Sequence, residues 1–158
     1  MEKAKDFSLF NHKNRQLYAI VFYVSTAVAI LFNIFAELAI WILYGSAFLP
    51  AAMPLRIVSW YTAFSYLGVA RDPWIVSTNN QKHLFKLYAC AAIANVVLNY
   101  FLIPIWGASG AALASLAAQI LTGFVLPFFI RDLRPNAQLM LEAILLKDLL
   151  PAKKGLKD

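Results

Sequence analysis

The chain has 158 residues, 61% hydrophobic and 14% charged, with a formal net charge of +6 at pH 7. An average soluble domain is about 25% charged, and a chain this short cannot wrap several all-apolar helices in polar ones, which excludes a soluble globular core. The positive charge is no nucleic-acid footprint either. Lys and Arg flank apolar segments here and form no basic stripe interleaved with aromatics.

Four apolar segments can be marked out, at 17–44, 54–77, 84–103 and 107–130. Each has roughly the 20 residues that cross a bilayer core. The predicted fold is therefore all-α, a polytopic membrane bundle of about four transmembrane helices with a cytoplasmic amphipathic helix after it. Residues 1–16 read as a cytoplasmic tail, 17–130 as the membrane domain, and 131–158 as an amphipathic helix and basic tail.

The amino end carries Lys3, Lys5, Lys13 and Arg15. The first apolar segment is too long for a signal-peptide core and lacks a small-residue cleavage site, so it should stay as a membrane helix. Lys82 and Lys86 mark the link between segments two and three. Arg131, Arg134, Lys147, Lys153, Lys154 and Lys157 mark the carboxyl end, and the link between segments three and four has no basic residue. The positive-inside rule then places both termini and the second link in the cytoplasm.

Asn33 and Glu37 lie four apart in the first segment and share a face. Glu37 lies about 10 Å in from Tyr44, a depth at which an ionisable group normally faces the bundle interior or water. Two readings stay open: a site of ion coupling, or a hydrogen-bonded carboxyl near the outer headgroups. Trp41 and Tyr44 form an aromatic belt, and Gly45 ends the helix. Pro54 suits the first turn of the second helix.

That second helix carries Arg71-Asp72-Pro73-Trp74, with Arg71 roughly 9 Å from the inner boundary and a kink expected at Pro73. Two readings compete for Arg71. It meets a substrate phosphate with its bidentate fork, or it snorkels or pairs with Asp72 or another helix. Neighbouring helical residues point about 100° apart, which makes a direct Arg71–Asp72 bridge poor. Asp72 and Glu37 are the candidates for ion coupling.

His12 and His83 read as surface residues near the inner boundary, with no metal-ligand spacing, and Cys90 stands alone. Residues 95–122 read as a hairpin of two helices, with a reversal at Ile103-Pro104-Ile105-Trp106-Gly107. Asn95 and Asn99 share one face of its first arm. Gly107, Ala111 and Ser115 form a small-residue stripe on the second, beside Gly110, Ala114 and Ala118, the kind of surface over which membrane helices pack. Ser115, Gln119 and Thr122 either line a pathway or bond between helices, and Pro127 should kink the end. After residue 131 the chain reads as an amphipathic helix lying on the inner surface at 136–150. No Gly-rich phosphate loop, metal motif or triad is visible, so the sequence predicts no enzyme, no cofactor and no metal.

The run Leu55-Arg56-Ile57-Val58-Ser59-Trp60-Tyr61-Thr62-Ala63-Phe64-Ser65-Tyr66-Leu67-Gly68, followed by Arg71 and Trp74-Ile75, resembles the carboxyl-terminal part of bacterial polysaccharide repeat-unit flippases. Ala94-Asn95-Val96-Val97-Leu98-Asn99, Leu102-Ile103-Pro104, Gly107 and Gly110-Ala111-Ala112 are similar to that family's last hairpin, as is Leu43-Tyr44-Gly45 after the first helix. These O-antigen and capsule flippases belong to the multidrug/oligosaccharidyl-lipid/polysaccharide exporter superfamily. The likeness spans roughly residues 16–150 and corresponds to the last third of a family member.

The resemblance implies movement of an undecaprenyl-diphosphate-linked oligosaccharide across the bacterial inner membrane by alternating access. Arg71 would meet the diphosphate, with Asn95, Asn99 and Gln119 on the substrate side. Membrane lipids and the lipid-linked oligosaccharide are the implied partners. The missing amino-terminal helices would come from another chain or from a homo-oligomer. Two alternatives stay open, a fragment of an ion-coupled drug antiporter and a non-transporting module that packs through the Gly107/Ala111/Ser115 face.

Overall fold

The computed structural model describes residues 2–145, with side chains from residue 6 onward. The expected basic tail at 151–158, and Lys147 and Leu150 of the expected terminal helix, lie outside the described residues. Among the described residues the chain is all-helical.

Helix α1 runs over Glu2–Tyr44, about 65 Å at 1.5 Å per residue. The expected tail at 1–16 is thus largely the first turns of this same helix. The reason is local: neither Pro nor Gly occurs before Gly45, and that glycine stops the helix with φ of 83°. A short 3-10 helix, Ser46–Ala51, leads into α2 at Ala52–Ser77. Pro54 falls in the first turn of α2, and the helix continues through Pro73. Asn79, with φ of 61°, turns the chain towards α3, a conformation that Asn tolerates better than most side chains.

Helix α3, Gln81–Ile120, is two arms joined at Gly107, where φ is 54° and ψ is −128°. Asn95 Nδ2 lies 3.0 Å from Ser115 Oγ, although twenty helical residues would span about 30 Å. The arms therefore fold back on each other. The reversal falls at the glycine, while Pro104 stays inside the first arm, so that arm outruns its expected end at 103. A proline forfeits one helical hydrogen bond, whereas a positive φ paired with that ψ is a region open essentially to glycine. The second arm passes through a π-helical turn, Leu121–Val125, into α4 at Leu126–Phe129. Helix α5, Arg134–Ile144, follows.

Helix α2 lies between α1 and α3, and α5 bridges α1 and α4. The end carrying Tyr44 and Gly107 is termed upper here, and the end carrying Ser77 and α5 lower. Ala36, Ile40 and Ala52 fill the upper α1–α2 contact. Lower down, Trp74 and Ile75 of α2 pack with Leu87 of α3 and with Leu133 from the link before α5. Large apolar side chains point outward along every long helix: Ile42 of α1 is 65% exposed, Val69 of α2 61% and Phe85 of α3 78%.

Two stretches are long and apolar enough to cross a membrane, Asp6–Tyr44 and Gln81–Phe129, whose most apolar 18 consecutive residues have mean hydropathies of 2.2 and 1.8. The second of these folds back at Gly107. Helix α2 falls short of the same measure because it carries Arg56, Arg71 and Asp72 among hydroxyl and aromatic residues.

The position of α5 corrects the expectation of a helix resting on a surface. Its buried stripe, Ala137, Met140 and Ala143, sits with Tyr18 and Leu67 in a core cluster. Asn136 is fully buried and donates through Nδ2 to the Tyr18 hydroxyl at 2.7 Å. The rim of α5 is tied by Arg15 to Glu142 at 3.0 Å and by Tyr23 Oη to the Ile144 carbonyl at 2.7 Å. Asn136→Ala strands the Tyr18 hydroxyl without that donor and should cost about 1–3 kcal/mol. Thermal unfolding of the detergent-purified variant checks this, and an unchanged midpoint would mean that α5 is not held through Asn136.

Candidate functional site around Arg71

The site begins with a proline. Pro127 has no N–H, so it cannot bond the carbonyl of Gly123 four residues earlier, and the helix relaxes into the π-helical turn at Leu121–Val125. A carbonyl freed inside a packed bundle needs a donor. Arg71 supplies it, with Nη1 3.0 Å from Gly123 O. Its other terminal nitrogen lies 3.2 Å from Asp72 Oδ1. The bridge that helical geometry disfavours does form, because the arginine stem is long enough to curl back to its neighbour. Tyr88, from the first arm of α3, donates its hydroxyl to Asp72 Oδ2. One guanidinium–carboxylate pair thus joins α2 to both arms of the hairpin.

Arg71 is 3% exposed and its Nε is buried without a partner in the structure. The guanidinium is not displayed to a cavity; it lies against the bent second arm. Asp72 and Tyr88 form the outer edge of the cluster, with the Asp72 side chain 23% exposed. Gln119 sits beside it in a glycine cradle. A Cβ at either Gly68 or Gly123 would stand 3.1 Å from Gln119 Nε2. The same nitrogen makes a long contact of 3.5 Å with the Phe64 carbonyl. Gln119 is therefore a filler of the α2–α3 crossing in this conformation.

Glu37 is away from Arg71 and has its own cation. Arg56 Nη2 is 2.9 Å from Glu37 Oε1, and Arg56 Nε donates to the Asn33 carbonyl at 3.1 Å. Asn33 Nδ2 reaches Ser59 Oγ at 3.1 Å. Arg56 and Ser59 are legible in the sequence as an i, i+3 pair on the helix after the i, i+4 pair Asn33 and Glu37. Tyr88 had no such signal, because nothing in its neighbourhood specifies a carboxylate two helices away.

Asn95 and Asn99 form a ladder inside the hairpin. Asn99 Nδ2 donates to Asn95 Oδ1 at 2.8 Å, and Asn95 donates to Ser115. Of the small residues, Gly110, Ala114 and Ala118 are buried, Ala111 and Ser115 partly so, and Gly107 is exposed at the turn. Gly107 is the hinge of the reversal, and the Ser115 face is engaged by Asn95 of the same chain. Of the Gly107/Ala111/Ser115 stripe, Ser115 is thus engaged within the chain, while Gly107 stays exposed.

His83 is a second correction. It is buried, not superficial, and its Nε2 lies 2.9 Å from Asp132 Oδ2. That contact ties the start of α3 to the link before α5. Trp74 Nε1 donates to Asn11 at 3.0 Å. Among the described residues no three of His, Cys, Asp and Glu come together in a way that could hold a metal. No protein-family model, no curated protein and no solved structure matches this chain.

Proposed function

We propose that the chain is a membrane-embedded helical unit, the carboxyl-terminal portion of a flippase that moves lipid-linked oligosaccharide across a bacterial inner membrane. The observation that carries the membrane placement is the outward-facing apolar surface of α1 and α3, where Leu43, Val96 and Ile105 are each at least 69% exposed. In water such contiguous apolar surface would drive association, whereas lipid tails solvate it at no cost. With lipid outside, both termini lie on the cytoplasmic side, and the basic residues flanking the spans support that orientation. The flippase part rests on the resemblance carried by residues 55–75 and 94–112. Arg71 supports it as a cation held at depth by a bent helix. To meet a diphosphate it would have to exchange the Gly123 carbonyl for a phosphate oxygen, so the bend and the binding event would be coupled.

A second reading, a non-transporting membrane module, is favoured by the internal pairing of Arg71 and of Glu37. Complementation of a flippase-deficient strain separates the two. The expected result under the first reading is restored surface polysaccharide when these residues are supplied together with an amino-terminal lobe. Failure under that condition, with membrane insertion verified by protease protection, would favour the module.

A further inference from the structure

The α1–α2 seam has a second face, opposite α5, and it is not filled by protein. An open cleft of about 610 Å³ runs along it, between Leu17 and Phe32 on α1 and between Leu55 and Ala70 on α2. Fifteen residues of rise on each helix make it about 22 Å long. No charged residue lines it. Of its hydroxyls, Ser25 donates to Val21 O at 2.6 Å, Thr62 to Val58 O at 2.9 Å and Ser59 to Arg56 O at 2.7 Å. These three groups ask nothing of an occupant, and the remaining hydroxyl, on Tyr66, belongs to a side chain that is 57% exposed, so the cleft selects a largely apolar occupant.

Size decides between a helix and a chain. A helix 10–12 Å across displaces on the order of 2,000 Å³ over that length, so it would only lean on the rim. A volume near 610 Å³ lies in the range of pockets that take small apolar ligands. The charges at the two mouths differ. At the upper mouth Arg56 is already paired with Glu37. At the lower mouth Lys13 is exposed, one helical turn before Leu17 on the same stripe, and it makes no ion pair among the described residues.

We infer that this cleft holds one hydrocarbon chain of an anionic phospholipid from the cytoplasmic leaflet, with its phosphate on Lys13. The inference rests on the membrane placement proposed above and not on the flippase reading. Bound in this way, the lipid seals the seam that the helices leave open and adds its affinity to the stability of the α1–α2 pair.

The test is native mass spectrometry of the full chain, purified in mild detergent and exposed to phosphatidylglycerol or phosphatidylethanolamine. The expected spectrum shows one phosphatidylglycerol per chain, preferred about fivefold, the contribution of a single lysine near a charged headgroup. Lys13→Gln, a surface change that leaves the fold intact, should bring the two lipids to parity. Val24→Trp, which fills the cleft, should abolish retention. The absence of retained lipid overturns the inference, as does equal preference for the two headgroups in the parent chain. Retention unchanged in Val24→Trp, or a dimer mass that disappears in that variant, overturns it as well, the last by showing a second copy in the cleft. A chain that stays in aqueous solution without detergent would instead sink the membrane placement itself, and fractionation reads that separately.

Discussion

Arg71→Ala is expected to lower the stability of the purified chain by about 3 kcal/mol, the low end of what breaking one side of a buried ion pair costs. Two groups lose their partner at once. The Gly123 carbonyl, which Pro127 cannot bond, loses the Arg71 donor, and Asp72 keeps the Tyr88 hydroxyl among the described residues. The low end applies because Asp72 is partly exposed and water can reach it. Arg71→Lys should fall between the parent and Arg71→Ala, since one ammonium cannot hold two acceptors in the fork geometry of a guanidinium. Removing both charges, as Arg71→Met with Asp72→Asn, should recover more than half of the loss, because it leaves no uncompensated charge. Thermal unfolding in detergent measures all three. If Arg71→Ala keeps the parent midpoint while complementation fails, the guanidinium acts on substrate and its role in holding the bend is wrong.

The second large effect is expected at Gly110. A Cβ there would stand 2.2 Å from the Leu102 carbonyl oxygen and 2.6 Å from its carbon. Both are backbone atoms of the opposite arm, so neither can swing aside. Gly110→Ala must push the arms apart, and overpacking of this kind costs about 1–3 kcal/mol or more. Gly107→Ala is a useful contrast. Nothing lies within 4 Å of a Cβ at that position, so only the backbone strain of φ 54° is paid. The readout is geometric. With Cys90→Ser as background, Asn95→Cys and Ser115→Cys should form a disulfide readily across the hairpin. Adding Gly110→Ala should slow that reaction strongly, and adding Gly107→Ala should slow it less. Equal rates with and without Gly110→Ala would mean that the arms do not approach as described.

Much of the architecture is legible in the residues themselves. Gly45, Asn79 and Gly107 mark the three reversals, each by a residue that accepts positive φ, and the apolar runs between them are the helices. The site was legible in part. A proline four residues after Gly123 announces a free carbonyl, and an arginine deep in an apolar helix announces a need for acceptors. That the two needs meet depends on how α2 crosses the second arm, and no local pattern encodes that crossing.

Apart from where they end, the helices, their turns and the apolar character of their outer faces are readable from the residues, because these follow from backbone sterics and side-chain chemistry within a few residues. Which polar groups are satisfied, and by which partners, came from the packing of one helix on another: Arg71 by Gly123 and Asp72, Glu37 by Arg56, His83 by Asp132, Asn136 by Tyr18. The same packing set the apolar stripe of α5 against Tyr18 and Leu67, with Gln138 and Leu141 exposed on the other side. The physical reason is common to all of these. A buried polar group must be paired, but its partner sits on another helix at a distance along the chain that propensity and periodicity do not measure.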